Sequence, residues 1–107
     1  MSQPRADLRR YPRVHVAWKV IVEAPGHRPK MRKTVDVSPF GTKVRMETPL
    51  ADGSAARLSM STPDRRALRL DAIVWRTDPD GPVFVFVGLA ESQFTRLKLL
   101  VDAHRGA

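Results

Sequence analysis

Residues 14–23 have the sequence Val-His-Val-Ala-Trp-Lys-Val-Ile-Val-Glu, and this segment decides the fold class. Apolar residues occupy every second position from Val14 to Val22, which is the pattern of a β-strand with one face against a core. Turn residues follow at once in Ala24-Pro-Gly-His-Arg-Pro29. The segment therefore predicts a strand that ends in a tight turn.

Five more segments of the same kind follow along the chain. Turn-forming residues such as Asp52-Gly53 and Asp78-Pro-Asp-Gly81 separate them. Short strands at this spacing are typical of an all-β barrel or sandwich. The predicted strands cover residues 14–23, 31–38, 42–47, 56–60, 68–75 and 83–89.

The chain ends differently, with apolar residues at helical spacing from Phe94 to Val101. We predict a helix from about Gln93 to His104, with Ser92 as its N-cap and Gly106 as its stop. We expect this helix to pack on the barrel, because so small a barrel needs the cover. The alternative is an exposed helix that binds a partner.

The first twelve residues are polar and basic and contain two prolines, so they bury little apolar surface. We predict a flexible basic arm over residues 1–12 and one domain over residues 13–107. The predicted fold class is all-β: a six-stranded antiparallel β-barrel with a C-terminal α-helix and a flexible N-terminal arm.

Charge is unevenly distributed over the 107 residues, whose formal net charge is +8. Residues 1–33 carry nine basic and two acidic side chains, whereas residues 34–107 carry ten and nine. This basic end indicates an anionic partner. Part of it, the patch of Arg28, Lys30, Arg32 and Lys33, has no predicted role.

Several functional classes find no support in the sequence. The absence of cysteine excludes disulfides and thiolate sites, and no apolar run is long enough for a spanning helix or a secretory signal. His15, His27 and His104 have no ligand-like spacing, and no nucleophile or phosphate-loop motif is present. We therefore expect a cytoplasmic protein that is not an enzyme, without membrane insertion, catalytic residues, a metal site or a cofactor.

Two motifs suggest ligand binding. Arg9-Arg10-Tyr-Pro-Arg13 places three guanidinium groups close together, and each can donate paired hydrogen bonds to a phosphate or to the O6/N7 edge of guanine. A charge run can also be ordinary solvated surface.

The second motif is Asp36-Val-Ser38-Pro-Phe-Gly41. Side chains two apart on a strand emerge from one face, and the Asp36 carboxylate can accept the parallel N1–H and N2 donors of guanine. Gly41 permits a positive φ or a close approach of the backbone. An ordinary turn, in which Asp36 and Ser38 cap backbone groups, is the alternative.

Together, Arg9-x-x-x-Arg13 and Asp36-x-Ser38-x-x-Gly41 on this strand pattern resemble the PilZ domain. PilZ domains are six-stranded barrels that bind the bacterial second messenger cyclic di-GMP. The resemblance implies that Arg9 and Arg13 grip phosphate and the Hoogsteen edges of guanine, with Arg10 in support. It implies that Asp36 and Ser38 recognise a guanine from the barrel surface and that Gly41 shapes the turn.

Phe40 and Glu91 depart from the family pattern, which often has a small residue at the first position and phenylalanine at the second. Phe94 can supply the apolar contact that Glu91 lacks. Trp75 is a further candidate for ligand binding, as a platform on which a base stacks, although tryptophans in strands are commonly core residues.

The resulting hypothesis is a receptor for cyclic di-GMP that orders its arginine arm on ligand binding and signals to an unidentified downstream protein. One alternative is a PilZ-like adaptor that does not bind the nucleotide. Another is a small basic barrel that binds nucleic acid, against which the scarcity of aromatic platforms argues.

Overall fold

The computed structural model of the protein describes residues 13–105 as a closed barrel of six antiparallel strands and one helix. The predicted barrel with its C-terminal helix is confirmed, and the predicted arm over residues 1–12 lies outside the described residues. In the part of the chain that is described, no helix is long and apolar enough to cross a membrane. The elements are β1 (Lys19–Glu23), β2 (Lys30–Val37), β3 (Gly41–Val44), β4 (Ala55–Ser61), β5 (Ala67–Asp78), β6 (Gly81–Val87) and α1 (Glu91–Arg105).

The barrel has the strand order β1-β2-β3-β6-β5-β4, and it closes where β4 pairs with β1. Strand β5 illustrates why these segments form strands, since every second residue from Leu68 to Val74 is buried and the residues between them are exposed. Burying one face of each strand removes apolar area from water and supplies the main stabilisation. The largest side chains with almost no exposure are Phe84, Leu58, Met60 and Leu97.

Helix α1 covers the barrel with one apolar stripe. Leu97 and Val101 are fully buried in the core cluster, so the predicted packing of this helix is confirmed. The predicted N-cap is wrong, because the helix begins at Glu91 and Ser92 lies inside it. Gln93 caps instead: its Oε1 accepts the Ala90 N–H at 2.9 Å, and its Nε2 donates to the Arg69 carbonyl at 2.9 Å.

The first strand is shorter than predicted. β1 begins at Lys19 rather than at Val14, although Val14 and Val16 are buried as the alternation requires. The reason is Thr34, whose Oγ1 accepts the Trp18 N–H at 2.9 Å and donates to the Val16 carbonyl. A side chain thus takes the place of the backbone partner that a strand would need.

Strand β2 contains a bulge between Thr34 and Asp36 that the simple alternation did not predict. Before the bulge, Arg32 pairs with the inward-facing Val20 and therefore points to the barrel interior. After it, Val37 faces inward and Asp36 pairs with Lys43 on the outer face. The extra residue shifts the phase of the strand, and it allows a carboxylate to lie outside the core.

Candidate ligand-binding site

Asp36 lies on the outer face of β2, one residue before the strand ends. Its Oδ1 accepts the Lys43 N–H at 3.2 Å, and its backbone carbonyl accepts the Thr42 hydroxyl at 2.6 Å. The carboxylate is only 8% exposed. These contacts with β3 fix its position at the barrel surface.

Arg13 is the group that covers this carboxylate. Its Nη1 lies 3.5 Å from Asp36 Oδ2, and its side chain is 45% exposed. The neighbouring Val14 forms an isolated bridge with Val37 through two backbone hydrogen bonds of 2.9 Å. The structure therefore brings together Arg13 and Asp36, two of the predicted site residues, through a bridge next to both.

Ser38 builds the turn that follows β2. Its Oγ accepts the backbone N–H groups of Phe40 at 3.1 Å and Gly41 at 3.2 Å, and its own N–H donates to the Gly41 carbonyl at 2.9 Å. The expectation that Ser38 lies on the same strand as Asp36 is wrong, because β2 ends at Val37 and Ser38 is the first residue after it. In this structure the Ser38 hydroxyl does what the turn interpretation predicts.

Gly41 begins β3 at a point where the backbone of β6 comes very close. A Cβ added here would lie 2.3 Å from the Phe84 carbonyl oxygen, far inside van der Waals contact. Of the two roles predicted for this glycine, the structure uses the close approach, since Gly41 is not among the positive-φ residues. The end of the turn at Gly41 therefore packs directly against the backbone of β6.

Phe40 and Glu91, the two positions that depart from the PilZ pattern, are connected through Phe94. Phe40 lies between Ser38 and Gly41, and its ring is 5.5 Å from that of Phe94 with an interplanar angle of 54°. Glu91 is the first residue of α1, so Phe94, one helical turn later, supplies the apolar contact. This aromatic pair connects the helix to the turn that carries the site.

A charged cluster next to Asp36 was not predicted. The Lys43 ammonium lies 3.0 Å from Asp78, the last residue of β5, and 3.2 Å from Asp80 in the β5–β6 turn. Arg76 Nε also lies 3.0 Å from Asp78. The hydrogen bond to Asp78 raises the pKa of Lys43. The hydrogen bonds from Lys43 and then Arg76 lower the pKa of the Asp78 carboxyl. The sequence did predict that Lys43 faces outward from its strand. Its two partners lie 35 and 37 positions later in the chain, and they come close to Lys43 only when the barrel closes.

Trp75 is exposed rather than a core residue, with 57% of its surface accessible. It lies at the β5 bulge between Val74 and Arg76. The pairings Asp36–Lys43, Lys43–Val83 and Val83–Arg76 place it in the same row as the site, three strands away. At the usual strand spacing this is about 14 Å from Asp36.

The remaining predicted residues are not part of this arrangement. Arg9 and Arg10 lie outside the described residues. His15, His27 and His104 are all exposed and widely separated in the chain. No group of three potential metal-ligating side chains occurs within residues 13–105.

Taken together, the site offers an exposed guanidinium, a carboxylate that accepts hydrogen bonds and a rigid turn. A guanidinium suits phosphate or the O6/N7 edge of guanine, and a carboxylate suits paired N–H donors. These groups are of the kind that bind a ligand by charge and hydrogen bonding.

Comparison with known proteins finds a family whose model matches this chain. The family model for the PilZ domain matches residues 7–103. No curated protein matches the sequence.

Several solved structures are similar in fold, including the following three. The inhibitor of motility MotI/DgrA from Bacillus subtilis has a TM-score of 0.78 at 16% identity, covering 98% of this chain and 52% of its own. YcgR from Escherichia coli, in complex with c-di-GMP, has a TM-score of 0.75 at 14% identity, covering 91% and 46%. The PilZ domain of CeSA, from a cellulose-synthesizing bacterium, has a TM-score of 0.70 at 21% identity, covering 88% and 98%. The chain thus spans about half the length of MotI/DgrA and a full PilZ domain of CeSA.

Proposed function

The chain belongs to the PilZ domain family, and from this premise we propose that it is a non-enzymatic receptor for cyclic di-GMP that signals to a partner protein. The observation that carries the proposal is the pairing of Arg13 with Asp36 beside the turn of Ser38 and Gly41. Residues from both motifs meet there, although 23 positions separate Arg13 from Asp36. The fold similarity to YcgR in complex with c-di-GMP supports the choice of ligand.

In this proposal Asp36 recognises one guanine. Its Oδ1 accepts a single backbone N–H, and its Oδ2 faces Arg13 across 3.5 Å, which is long for a charged hydrogen bond. The N1–H and N2 donors of guanine would use the free acceptor positions of the carboxylate. Ser38 holds the turn beside it, so that its backbone and hydroxyl border the same guanine.

Arg13 changes its partner when the ligand arrives. Its guanidinium is nearly half exposed and lies at the surface, so it can turn toward a phosphate or the Hoogsteen edge while Asp36 takes the guanine. Charge-assisted hydrogen bonds of this kind contribute roughly 1.5–3 kcal/mol each. Arg9 grips a phosphate or guanine in the same way, and Arg10 supports it.

The signal is the ordering of the arm over residues 1–12. An arm that is mobile without ligand and fixed by arginine contacts with it is an order–disorder switch, driven by contacts that exist in one state only. The Val14–Val37 bridge holds residue 14, two positions after the arm, close to Asp36. The ordered arm then changes the affinity for a downstream protein, in the bacterial cytoplasm where the second messenger acts.

Trp75 is proposed as a platform for the second guanine of the ligand. It is exposed, and it lies in the same row of the barrel as Asp36. A guanine bound by Asp36 leaves the other guanine free to stack elsewhere. Stacking on an aromatic ring contributes about 1–3 kcal/mol in single-stranded nucleic acid sites.

A second candidate function is an adaptor that does not bind the nucleotide. It is favoured by one observation: the protein itself already provides partners for Asp36 and Ser38, through Lys43, Arg13 and the turn backbone. In that case the barrel acts through protein contacts alone.

Titration calorimetry with cyclic di-GMP, with GTP as the control, tests the proposal. A receptor gives saturable heat with cyclic di-GMP and returns the nucleotide chemically unchanged. Absence of both heat and chemical-shift changes at excess nucleotide would favour the adaptor. Salt-sensitive binding of oligonucleotides that cyclic di-GMP does not reduce would favour a nucleic-acid-binding protein.

A further inference from the structure

The barrel has a second candidate binding surface at the mouth opposite the Asp36 site. A pocket of about 300 Å³ lies between the β1–β2 turn and the segment after β3. Arg28, Lys30 and Arg32 contribute to its lining, together with the aliphatic side chains of Val22, Met46 and Leu50. These three cations belong to the basic patch whose role the sequence left open.

Strand register explains why cations line this mouth. Lys30 pairs with Val22 and Arg32 with Val20, and both valines face the core. Directly paired residues share a face, so Lys30 and Arg32 point toward the inside of the barrel near its end. The lining at this end is therefore both charged and apolar.

The cations at this mouth have no counter-ion within residues 13–105. The ion pairs in this range involve other basic residues. Glu23 and Glu47 belong to the adjacent segments, but neither lines the pocket. Among the described residues, therefore, no carboxylate forms an ion pair with Arg28, Lys30 or Arg32.

The Arg32 guanidinium has a buried donor that is not hydrogen-bonded, and this observation is independent of the charge. Its Nε is buried and has no hydrogen-bond partner in the structure. A buried donor without an acceptor is costly, and nearly all such donors in folded proteins are satisfied. In this conformation the buried atom is not accessible, but a carboxylate in the pocket would supply an acceptor once the Arg32 side chain turns toward the opening.

We propose that this pocket, defined by Arg28, Lys30, Arg32 and the aliphatic residues between them, docks an acidic segment of a partner protein that carries an aliphatic side chain. The cations match the carboxylates, and the aliphatic lining matches the apolar side chain. Among the residues that line the pocket His27 alone carries an aromatic ring, and no carboxylate is there to recognise a base. These features favour a peptide over a nucleotide.

The pocket is separate from the site of the proposed nucleotide. Asp36 lies four residues beyond Arg32 along β2, about 13 Å, and faces the outside of the barrel. The proposal therefore does not rest on cyclic di-GMP binding, and the same variants can be titrated with cyclic di-GMP as a separate check.

The test uses a fluorescein-labelled octapeptide of alternating glutamate and leucine, followed by anisotropy at low salt. We expect saturable binding that K30E/R32E weakens at least about tenfold, because charge reversal turns attraction into repulsion. The control R69E/R105E makes the same change in net charge at exposed positions away from the pocket and should change the affinity no more than about twofold.

Amide shift mapping on the unaltered protein provides a readout that does not depend on the variants folding. Shifts confined to residues 22–32 and 46–50 support the proposal. If K30E/R32E and R69E/R105E weaken peptide binding equally, the effect comes from net charge alone, and the proposal is overturned. Equal binding of the glutamine version of the peptide, or displacement of the peptide by pyrophosphate or an oligonucleotide at lower concentration, would also overturn it.

Discussion

Val14 and Val37 each donate their backbone N–H to the other's carbonyl oxygen, at 2.9 Å in both directions. This single pair of residues holds the start of the described chain against the end of β2. As a result Arg13 and Asp36, which precede the two valines, lie side by side. The position of the proposed cyclic di-GMP site follows from this bridge.

Arg13→Ala and Asp36→Ala should each weaken the binding of cyclic di-GMP at least about tenfold, because each removes a charge-assisted hydrogen bond and 1.4 kcal/mol is about a factor of ten. Calorimetry measures the change. Asp71→Ala is the matched control, because its carboxylate is paired with Arg57 on an exposed part of the barrel. Unchanged affinity in both site variants would rule out the proposed site.

Arg9→Ala should also weaken binding, and the ligand should protect residues 1–12 from trypsin. Both effects follow if arginines of the arm contact the nucleotide. Cleavage is followed by mass spectrometry with and without cyclic di-GMP. Equal cleavage rates in the two conditions would remove arm ordering from the mechanism while leaving the barrel site intact.

Trp75→Ala should reduce the affinity for cyclic di-GMP, with Trp75→Phe retaining most of it, if a base stacks on this ring. The substitution should lower the free energy of unfolding by no more than about 2 kcal/mol, because more than half of the residue is exposed. Calorimetry and urea unfolding provide the two readouts. Identical affinity in the alanine variant would exclude Trp75 from the site.

Gly41→Ala should destabilise the barrel by about 1–3 kcal/mol, the typical cost of forcing an extra methyl group into filled space. The added Cβ would meet the Phe84 carbonyl oxygen. Gly53→Ala is the comparison, because nothing lies within 4 Å there and only its φ of +81° opposes the change. A smaller loss of stability for Gly41→Ala than for Gly53→Ala in urea unfolding would contradict the close approach.

Arg96→Met should destabilise the protein more at neutral than at acidic pH. Arg96 donates to both Asp64 oxygens, at 2.9 and 2.7 Å, and this contact holds the pKa of the Asp64 carboxyl well below its ordinary value of 3.8. A carboxyl with a lowered pKa stabilises the folded state above its ordinary value and loses that effect as the pH falls toward its folded pKa.

The urea midpoints of Arg96→Met and of the unaltered protein should therefore differ more at pH 7 than at about pH 2.5. Lys98→Met, which removes an exposed pair with Asp102 at 3.7 Å, is the control and should shift the midpoint little at either pH. A difference for Arg96→Met that does not depend on pH would assign its effect to packing and to its bonds with backbone carbonyls.

Alternation alone was sufficient to predict most of the barrel. In β5 and β4 each apolar residue at every second position is buried, and both segments pair regularly over their common length. The prediction failed where a single side chain replaces a backbone partner. Thr34 does so for residues 16 and 18, and no periodicity reveals that a threonine 16 positions from Trp18 will bind there.

The candidate site was predicted in part. The sequence indicated that Arg13 and Asp36 belong together, and the structure places them in contact. It did not indicate the salt bridges of Lys43 with Asp78 and Asp80, because these partners meet only when β3 and β6 pair. Contacts between strands distant in sequence depend on closure of the barrel, which local patterns do not encode.

The bulge in β2 also makes the two ends of one strand independent of each other. Residues before it face the barrel mouth, and Asp36 after it faces the outer surface. Substitutions at positions 30 and 32 therefore change side chains on the opposite face of the strand from the Asp36 carboxylate. A protein engineer, or natural selection, can therefore change the proposed docking surface at one end without replacing a residue of the proposed cyclic di-GMP site at the other.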